Sequence, residues 1–459
     1  MRLYSSLTRR KEELPPPPGP VRVYVCGPTV YQRIHVGNAR PFVIFQWLER
    51  WLERQGYEVT LVENITDIND KIYDAAPGAS AELAERTSRW YVEDTDALGL
   101  GRPDHEPKAS ETVSEIVSLI EELIARGLAY EVEGDVYFRV AGYADYGRLS
   151  GQRPDQVEEQ EPNPLKEDAR DFALWKRTKP GEDTSWPYWG GGRPGWHIEC
   201  SAMALRLLGE PPIDIHGGGI DLVFPHHENE IAQAEGATGR PFARFWVHVE
   251  FLNVDNEKMS KSVGNVFAVR DVLDRGYRAS ALRYLLLSVH YRKQLTFSWD
   301  VLAQADAAVT RLADFRARVA AVSGGEAHAA SAARVDAARR DFRERIADDL
   351  NVPGALGVMF ELVRDVNAAL DQGQVGEPDA RAILDAFEAF DRVLGVLALR
   401  RAEDARPPVP EAELERLIAE RQQARKHRDF ARADAIRQDL EARGVILEDS
   451  ATGTRWKRK

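Results

Sequence analysis

Two stretches of this chain alternate short apolar runs with helical segments, and few folds accept that pattern. Val21-Arg22-Val23-Tyr24-Val25-Cys26 reads as a strand followed by a Gly/Pro loop. An amphipathic stretch then runs from about Asn38 to Gln55, Gly56 closes it, and Glu58-Val59-Thr60-Leu61-Val62 reads as the next strand. The spacing recurs from Ile213–His216, through a helix near 226–236, to Phe245–Val249. Strands joined through helices in this way form a parallel sheet. Residues 105–195 read as an insertion between the two halves, with an amphipathic helix near 110–126 and a hairpin across Tyr130–Phe138. Helical periodicity dominates after about residue 300, with breaks at Ser323-Gly324-Gly325 and Arg406-Pro407-Pro408-Val409-Pro410. The expected α/β architecture is a nucleotide-binding domain in two halves, 1–104 and 196–300, with the subdomain 105–195 inserted. A helical bundle over 301–402 and a small domain over 411–459 follow.

Composition excludes several classes. No run of about 18 apolar residues exists, so a membrane partner is not expected. Met1-Arg2-Leu3-Tyr4-Ser5 has no apolar signal core, and two cysteines in 459 residues do not make a disulfide framework. Both point to a cytoplasmic protein. The net charge of −13 offers no bulk attraction to nucleic acid, so any such contact needs a local basic patch.

Two short motifs carry chemistry. His35-Val36-Gly37-Asn38 lies in a loop entering a helix, where unpaired N–H groups and a partial positive charge attract phosphate. Gly37 lets a nucleotide approach the backbone, and His35 can donate to phosphate oxygens. Taken alone, such a four-residue segment is better explained by an ordinary histidine at a turn. Lys258-Met259-Ser260-Lys261-Ser262-Val263-Gly264-Asn265 is more specific, because two lysines in a Ser/Gly-containing loop past a strand suit a lid over polyphosphate.

The pair resembles the two signature motifs of class I aminoacyl-tRNA synthetases. Tyr24–Tyr31, Glu63–Ile68, Pro194–Met203 and Asp214–Gln233 resemble one family of that class, the cysteinyl-tRNA synthetases. Asn69 stands where that family commonly has aspartate, with Asp67 and Asp70 in place; Val36 and Asn38 depart from the familiar His-Ile-Gly-His wording. The resemblance implies a Rossmann-like catalytic domain of class I type. It implies ATP binding by Pro28, Thr29, His35, Gly37, Asn38, Lys258, Ser260 and Lys261, with His35, Asn38, Lys258 and Lys261 stabilising charge on the phosphates.

The two cysteines fall in chemically suggestive places. Cys26 ends the first strand, Cys200 ends Gly195-Trp196-His197-Ile198-Glu199-Cys200, and His226 and Glu230 are four apart in Phe224-Pro225-His226-His227-Glu228-Asn229-Glu230. On a helix His226 and Glu230 share a face, whereas His227 points about 100° away. Two thiolates, an imidazole and a carboxylate suit zinc. Spacing alone leaves open a buried strand cysteine and a surface helix pair. The resemblance implies one zinc ion at Cys26, Cys200, His226 and Glu230. Zinc would serve to reject serine, because size alone separates near-isosteres by only about 1–3 kcal/mol. The insertion is accordingly too small for a separate hydrolytic editing domain. The full set with Zn²⁺ sums to −1, which disfavours a further thiolate, so a ligand shifts away or nearby donors compensate. Trp196 and His216 are expected in the wall of a cysteine pocket, with Thr66 and Asp221 at its polar floor.

Residues 421–459 hold eleven Lys/Arg against six Asp/Glu and one tryptophan, Trp456. Basic charge with an aromatic stacking face suits RNA. The resemblance implies that this region and the preceding helices read the anticodon end of tRNA. The expected partners are tRNA(Cys), L-cysteine and ATP with Mg²⁺, handled by a monomer. A related cysteine ligase acting on an amino-sugar would need no anticodon reader, and a non-catalytic tRNA-binding relative would not need both motifs.

Overall fold

The structure, a computed structural model, describes residues 1–152, 161–254, 257–258, 266–406, 408–450 and 453–458. It divides into two compact units, Met1–Leu394 and Gly395–Lys459.

The first unit opens with an antiparallel hairpin, β1 (Arg2–Ser5) and β2 (Arg10–Glu13). The apolar run expected as a strand forms β3 (Pro20–Val25), and the amphipathic stretch forms α1 (Val36–Arg54). Gly56, at φ 90°, turns the chain into β4 (Glu58–Glu63). Helices α2 (Asp70–Ala75) and α3 (Ser80–Ala97) follow. The insertion contains α4 (Val113–Ala125) and four antiparallel strands: β5 (Ala129–Val132), β6 (Asp135–Phe138), β7 (Phe172–Arg177) and β8 (Gly192–Pro194). The expected hairpin turns at Glu133 and Gly134, both with positive φ, as a tight two-residue turn requires.

The second half supplies α5 (Trp196–Leu208), β9 (Ile213–Gly219), α6 (Glu228–Thr238) and β10 (Ala243–Val249). Strands β10, β9, β3 and β4 lie side by side in that order, all parallel. The first strand of each half therefore sits at the middle of the sheet. Ligands bind open parallel sheets beyond the carboxyl ends of the strands, and Cys26 and Gly219 both lie there. Gly217 permits the close fit of α1 on β9, because a Cβ there would stand 2.0 Å from the Phe45 ring.

Beyond the sheet, β11 (Leu252–Val254) pairs with β12 (Glu257–Lys258); α7 (Val269–Asp274), α8 (Ala279–Ser288) and β13 (Leu295–Phe297) come next. The bundle is α9 (Trp299–Ala320), α10 (Ala329–Ala347), α11 (Val352–Asp371) and α12 (Glu377–Leu394). Gly324 and Gly325, both left-handed, break the chain between α9 and α10 as expected. The buried Asp349 anchors the bundle: its carboxylate accepts from Tyr291, Arg292 and the backbone of Tyr4. No described helix is long and apolar enough to cross a membrane.

The second unit starts at Gly395, before the proline-rich break expected to delimit it, so α13 (Val396–Asp404) belongs to it. Helices α14 (Glu411–Lys426) and α15 (Phe430–Ala442) pack with the hairpin β14 (Val445–Ser450) and β15 (Gly453–Arg458). Trp456 packs on the small core around Leu414, Leu440 and Val445, so part of its face is committed there; Phe430 is 60% exposed. The basic excess is also diluted. Arg421 and Arg425 pair with Asp449, Arg432 with Glu420 and Arg443 with Glu413. Over Gly395–Lys459 the balance is fifteen Lys/Arg against twelve Asp/Glu.

Candidate metal centre and nucleotide cleft

The loop leaving β3 is bolted to the loop leaving β4. Asn64 Oδ1 accepts from the Gly27 N–H at 2.9 Å, and the Thr66 N–H donates to Pro28 O at 3.0 Å. A Cβ at Gly27 would stand 1.6 Å from Asn64 O, so only glycine fits. The chain then enters α1 through a capping box. The Asn38 N–H donates to His35 Nδ1 at 3.2 Å, and the His35 N–H donates to Asn38 Oδ1 at 3.4 Å. With Nδ1 accepting, the ring proton sits on Nε2, which makes His35 a donor. The cap thus orients the imidazole and leaves the first turn of α1 to attract an anion.

A cleft of about 1350 Å³, its open mouth included, runs along this loop. Pro28, Thr29, His35, Gly37 and Asn38 line it, together with Cys26, Lys71, Trp196 and Asp221. Lys258 contributes its backbone to β12, opposite Asn253. Ser260 and Lys261 lie outside the described residues. Thr66 is buried, and its Oγ1 accepts from Asn64 Nδ2 at 3.2 Å.

At the inner end of the cleft the two cysteines meet the helix pair. One ligand atom each from Cys26, Cys200, His226 and Glu230 lie within 4.8 Å of one another, all four residues buried. Their convergence follows from the fold: β3 delivers Cys26, α5 delivers Cys200, and α6 with the turn before it delivers His226 and Glu230. His226 Nε2 lies 3.0 Å from Glu230 Oε1, and Cys26 Sγ lies 3.4 Å from the same oxygen. Trp196 stacks on His226, ring centroids 4.3 Å apart, and His197 Nδ1 meets His226 Nδ1 at 2.9 Å. Cys200 Sγ approaches Asn64 Oδ1 at 3.6 Å, so Asn64 joins the phosphate loop to the cluster.

Two histidines sit closer to this centre than the sequence indicated. His216 is fully buried and stacked on Tyr24, with Nε2 3.7 Å from Cys26 Sγ and 3.2 Å from Glu230 Oε2. His227 does not point away: its Nε2 lies 3.3 Å from Cys26 Sγ and 3.9 Å from Glu230 Oε1. The signal was available, since residues three apart on a helix share a face as those four apart do. His226, His227, Glu228, Asn229 and Glu230 are all buried, so this segment has no solvent side. Cys26, His216, His227 and Glu230 form a second set of ligand atoms within 4.8 Å of one another.

The electrostatics suit a cation. Burial would raise the Glu230 carboxyl, but His216 and His226 outweigh it and hold the group well below the usual range. Burial would lower His226, but Glu230 and Cys200 push it up to about 10. Burial raises the Cys26 thiol, and the neighbouring Cys200 raises it further. Cys200 is pulled down to about 6: burial opposes ionisation, but the Cys26 thiol, placed to donate to its sulfur, and the neighbouring His226 together outweigh it. Glu230 and Cys200 are thus both held in their charged forms in a buried pocket. Sulfur, nitrogen and oxygen donors so arranged fit a four-coordinate divalent cation, zinc above others.

Known proteins match along the whole chain. Residues 15–307 match the family model of the class I (C) tRNA synthetase catalytic domain, 341–398 the DALR domain, and 408–456 the cysteinyl-tRNA ligase anticodon binding domain. The cysteine–tRNA ligase of Anoxybacillus flavithermus is 44% identical, with 100% of this chain and 99% of that one aligned. That of Alkalilimnicola ehrlichii is 46% identical over 100% of both. Among solved structures, Mycobacterium tuberculosis methionyl-tRNA synthetase bound to methionyl-adenylate superposes with a TM-score of 0.59 at 18% identity, over 83% of this chain and 90% of that one. A putative arginyl-tRNA synthetase from Campylobacter jejuni gives 0.56 at 12% identity, over 83% and 92%. These last two share the fold. The chain belongs to the cysteinyl-tRNA synthetase family of class I aminoacyl-tRNA synthetases.

Proposed function

We propose that the chain activates L-cysteine with ATP and transfers it to the 3′-terminal ribose of tRNA(Cys). The observation that carries this is the buried thiol, imidazole and carboxylate cluster at the inner end of the cleft that His35, Gly37 and Asn38 line. The cysteine carboxylate attacks the α-phosphorus of ATP, taken up with Mg²⁺, and pyrophosphate leaves. The start of α1 and the His35 Nε2–H donate to the phosphates. Lys258 and Lys261 balance the charge that moves onto them, and Pro28, Thr29, Gly37 and Ser260 hold the nucleotide. No side-chain nucleophile is required, because the substrate carboxylate is the nucleophile. The ribose hydroxyl, at the 2′ position in class I, then takes the acyl group and AMP leaves.

Cys26, Cys200, His226 and Glu230 would hold one Zn²⁺. When bound, zinc favours a thiolate over a neutral hydroxyl, which separates cysteine from serine at the first binding step. Trp196 braces His226 from the cleft side, with His216, Thr66 and Asp221 completing the amino-acid pocket. The Gly395–Lys459 unit reads the anticodon end, and the enzyme works as a cytoplasmic monomer.

ATP–pyrophosphate exchange with cysteine and with serine tests this, followed by charging of a tRNA(Cys) transcript. The expected preference for cysteine is about 10⁴-fold or more. Equal exchange with serine, or no charging of the transcript, would overturn it.

A further inference from the structure

We propose that Arg40 is a positioning residue for phosphate activation: it fixes the strand leading into the lysine motif against the helix that opens from the phosphate loop. The inference rests on the reading of Lys258 and Lys261 as charge partners of the phosphates. Arg40 lies on α1, one turn beyond Val36 and Gly37, and is fully buried. Its guanidinium donates to backbone carbonyls of two segments. Nη1 reaches Glu250 O at 2.8 Å, Phe251 O at 3.3 Å and Lys293 O at 2.9 Å. Nη2 reaches Val289 O at 3.2 Å and His290 O at 3.1 Å.

One of these segments leaves β10 for β11, and the other joins α8 to β13. They also bond each other: the Glu250 N–H donates to Tyr291 O at 2.8 Å, and the Leu295 N–H to Phe251 O at 3.0 Å. Strand β11 then pairs with β12, Asn253 opposite Lys258. The far flank of the motif is tied to the same helix start. The Val36 N–H donates to Phe267 O at 2.9 Å, and the Val269 N–H to Ile34 O at 3.1 Å. Both flanks of 258–265 are therefore anchored to the loop and first turns that carry His35, Gly37 and Asn38.

The residue type suits the task. A planar guanidinium holds several carbonyls in a fixed fork, whereas an ammonium is a point charge with three donors on a flexible stem. Burial lowers the Arg40 guanidinium to about 10, with Glu250 opposing, so it is charged at neutral pH. A buried cation is costly to keep, and this one spends its hydrogen bonds on backbone alone. What it sets is the spacing between the start of α1 and the strands that carry Lys258. A lysine stabilises a transferring phosphate only when correctly placed, and a misplacement of about 1 Å costs on the order of 100-fold in rate.

Cysteine-dependent ATP–pyrophosphate exchange by the full-length protein tests this, with kcat taken per folded molecule. Arg40→Lys keeps a buried cation but loses the fork. Its kcat is expected to fall about 30–100-fold, with the KM for cysteine within about threefold of wild type. Arg40→Gln carries the same expectation should lysine unfold the chain. A residue that acts through the lysine motif adds little once the motif is gone. In a Lys258→Ala/Lys261→Ala background, Arg40→Lys should therefore lower kcat by less than about threefold further. An equal factor of loss in both backgrounds, or a kcat within about threefold of wild type in folded Arg40→Lys, would overturn the positioning role. Wild-type kcat in the Lys258→Ala/Lys261→Ala variant would instead overturn the reading of the lysines beneath it.

Discussion

His226 Nε2 lies 3.0 Å from Glu230 Oε1, one helical turn along a segment with no exposed side chain. Glu230 also stands within 3.4 Å of Cys26 and 3.2 Å of His216, so one carboxylate touches every other arm of the cluster except Cys200 and His227 at these distances. Glu230→Gln keeps the volume and one oxygen but removes the charge. Zinc affinity, measured by chelator competition, should fall by about 100-fold or more with unchanged circular dichroism. Wild-type affinity would remove Glu230 from the ligand set.

His35 acts through its cap. Because Nδ1 accepts from the Asn38 N–H, Nε2 carries the donor proton. His35→Ala removes that donor and the N-cap together. Cysteine-dependent pyrophosphate exchange should drop by about 10²–10³-fold, while the cap itself costs only about 1 kcal/mol of stability. A loss of exchange no larger than the loss of folded protein would refute a role beyond capping.

Glu63 offers a pH signature away from the cluster. It is 6% exposed, the Tyr91 hydroxyl donates to it, and burial raises its carboxyl from 4.5 to about 7. The folded state therefore binds this proton more tightly than the unfolded chain. The stability it contributes is present below about pH 4.5 and is lost as pH rises through about 7, on the order of 3 kcal/mol at most. Glu63→Gln should flatten the fall in melting temperature between pH 5 and pH 8 by several degrees. Parallel curves for the two proteins would contradict the assignment.

The unit boundary at Leu394–Gly395 defines a truncation. A chain ending at Leu394 keeps the sheet, the cleft, the cluster and the bundle. Pyrophosphate exchange should stay within about threefold of wild type, while tRNA charging falls by 100-fold or more at physiological salt, where phosphate contacts dominate affinity. Equal losses in both assays would indicate that Gly395–Lys459 supports the catalytic unit instead of tRNA.

Local features were legible because neighbours in the chain decide them. The strand, loop and helix of 20–54 follow from apolar periodicity, the turn at Glu133-Gly134 from backbone conformation, and the closeness of His226 to Glu230 from helical spacing. The motifs around His35 and the lysine loop carried the family resemblance without any geometry. Convergence was not legible in the same way. Cys26 and Glu230 are 204 positions apart, and only the strand order β10-β9-β3-β4 brings β3, α5 and α6 to one point. His216 reaches the centre from β9 by the same topology, while His227, three residues before Glu230 in a segment buried on every side, was within reach of helical spacing. Trp456 shows the converse, an aromatic in a basic tail that a core of only a few residues draws partly inward. Sequence by itself determined which segments form elements and which chemistry they carry; tertiary packing decided which side chains share a site, because contacts across hundreds of residues depend on topology and not on local period.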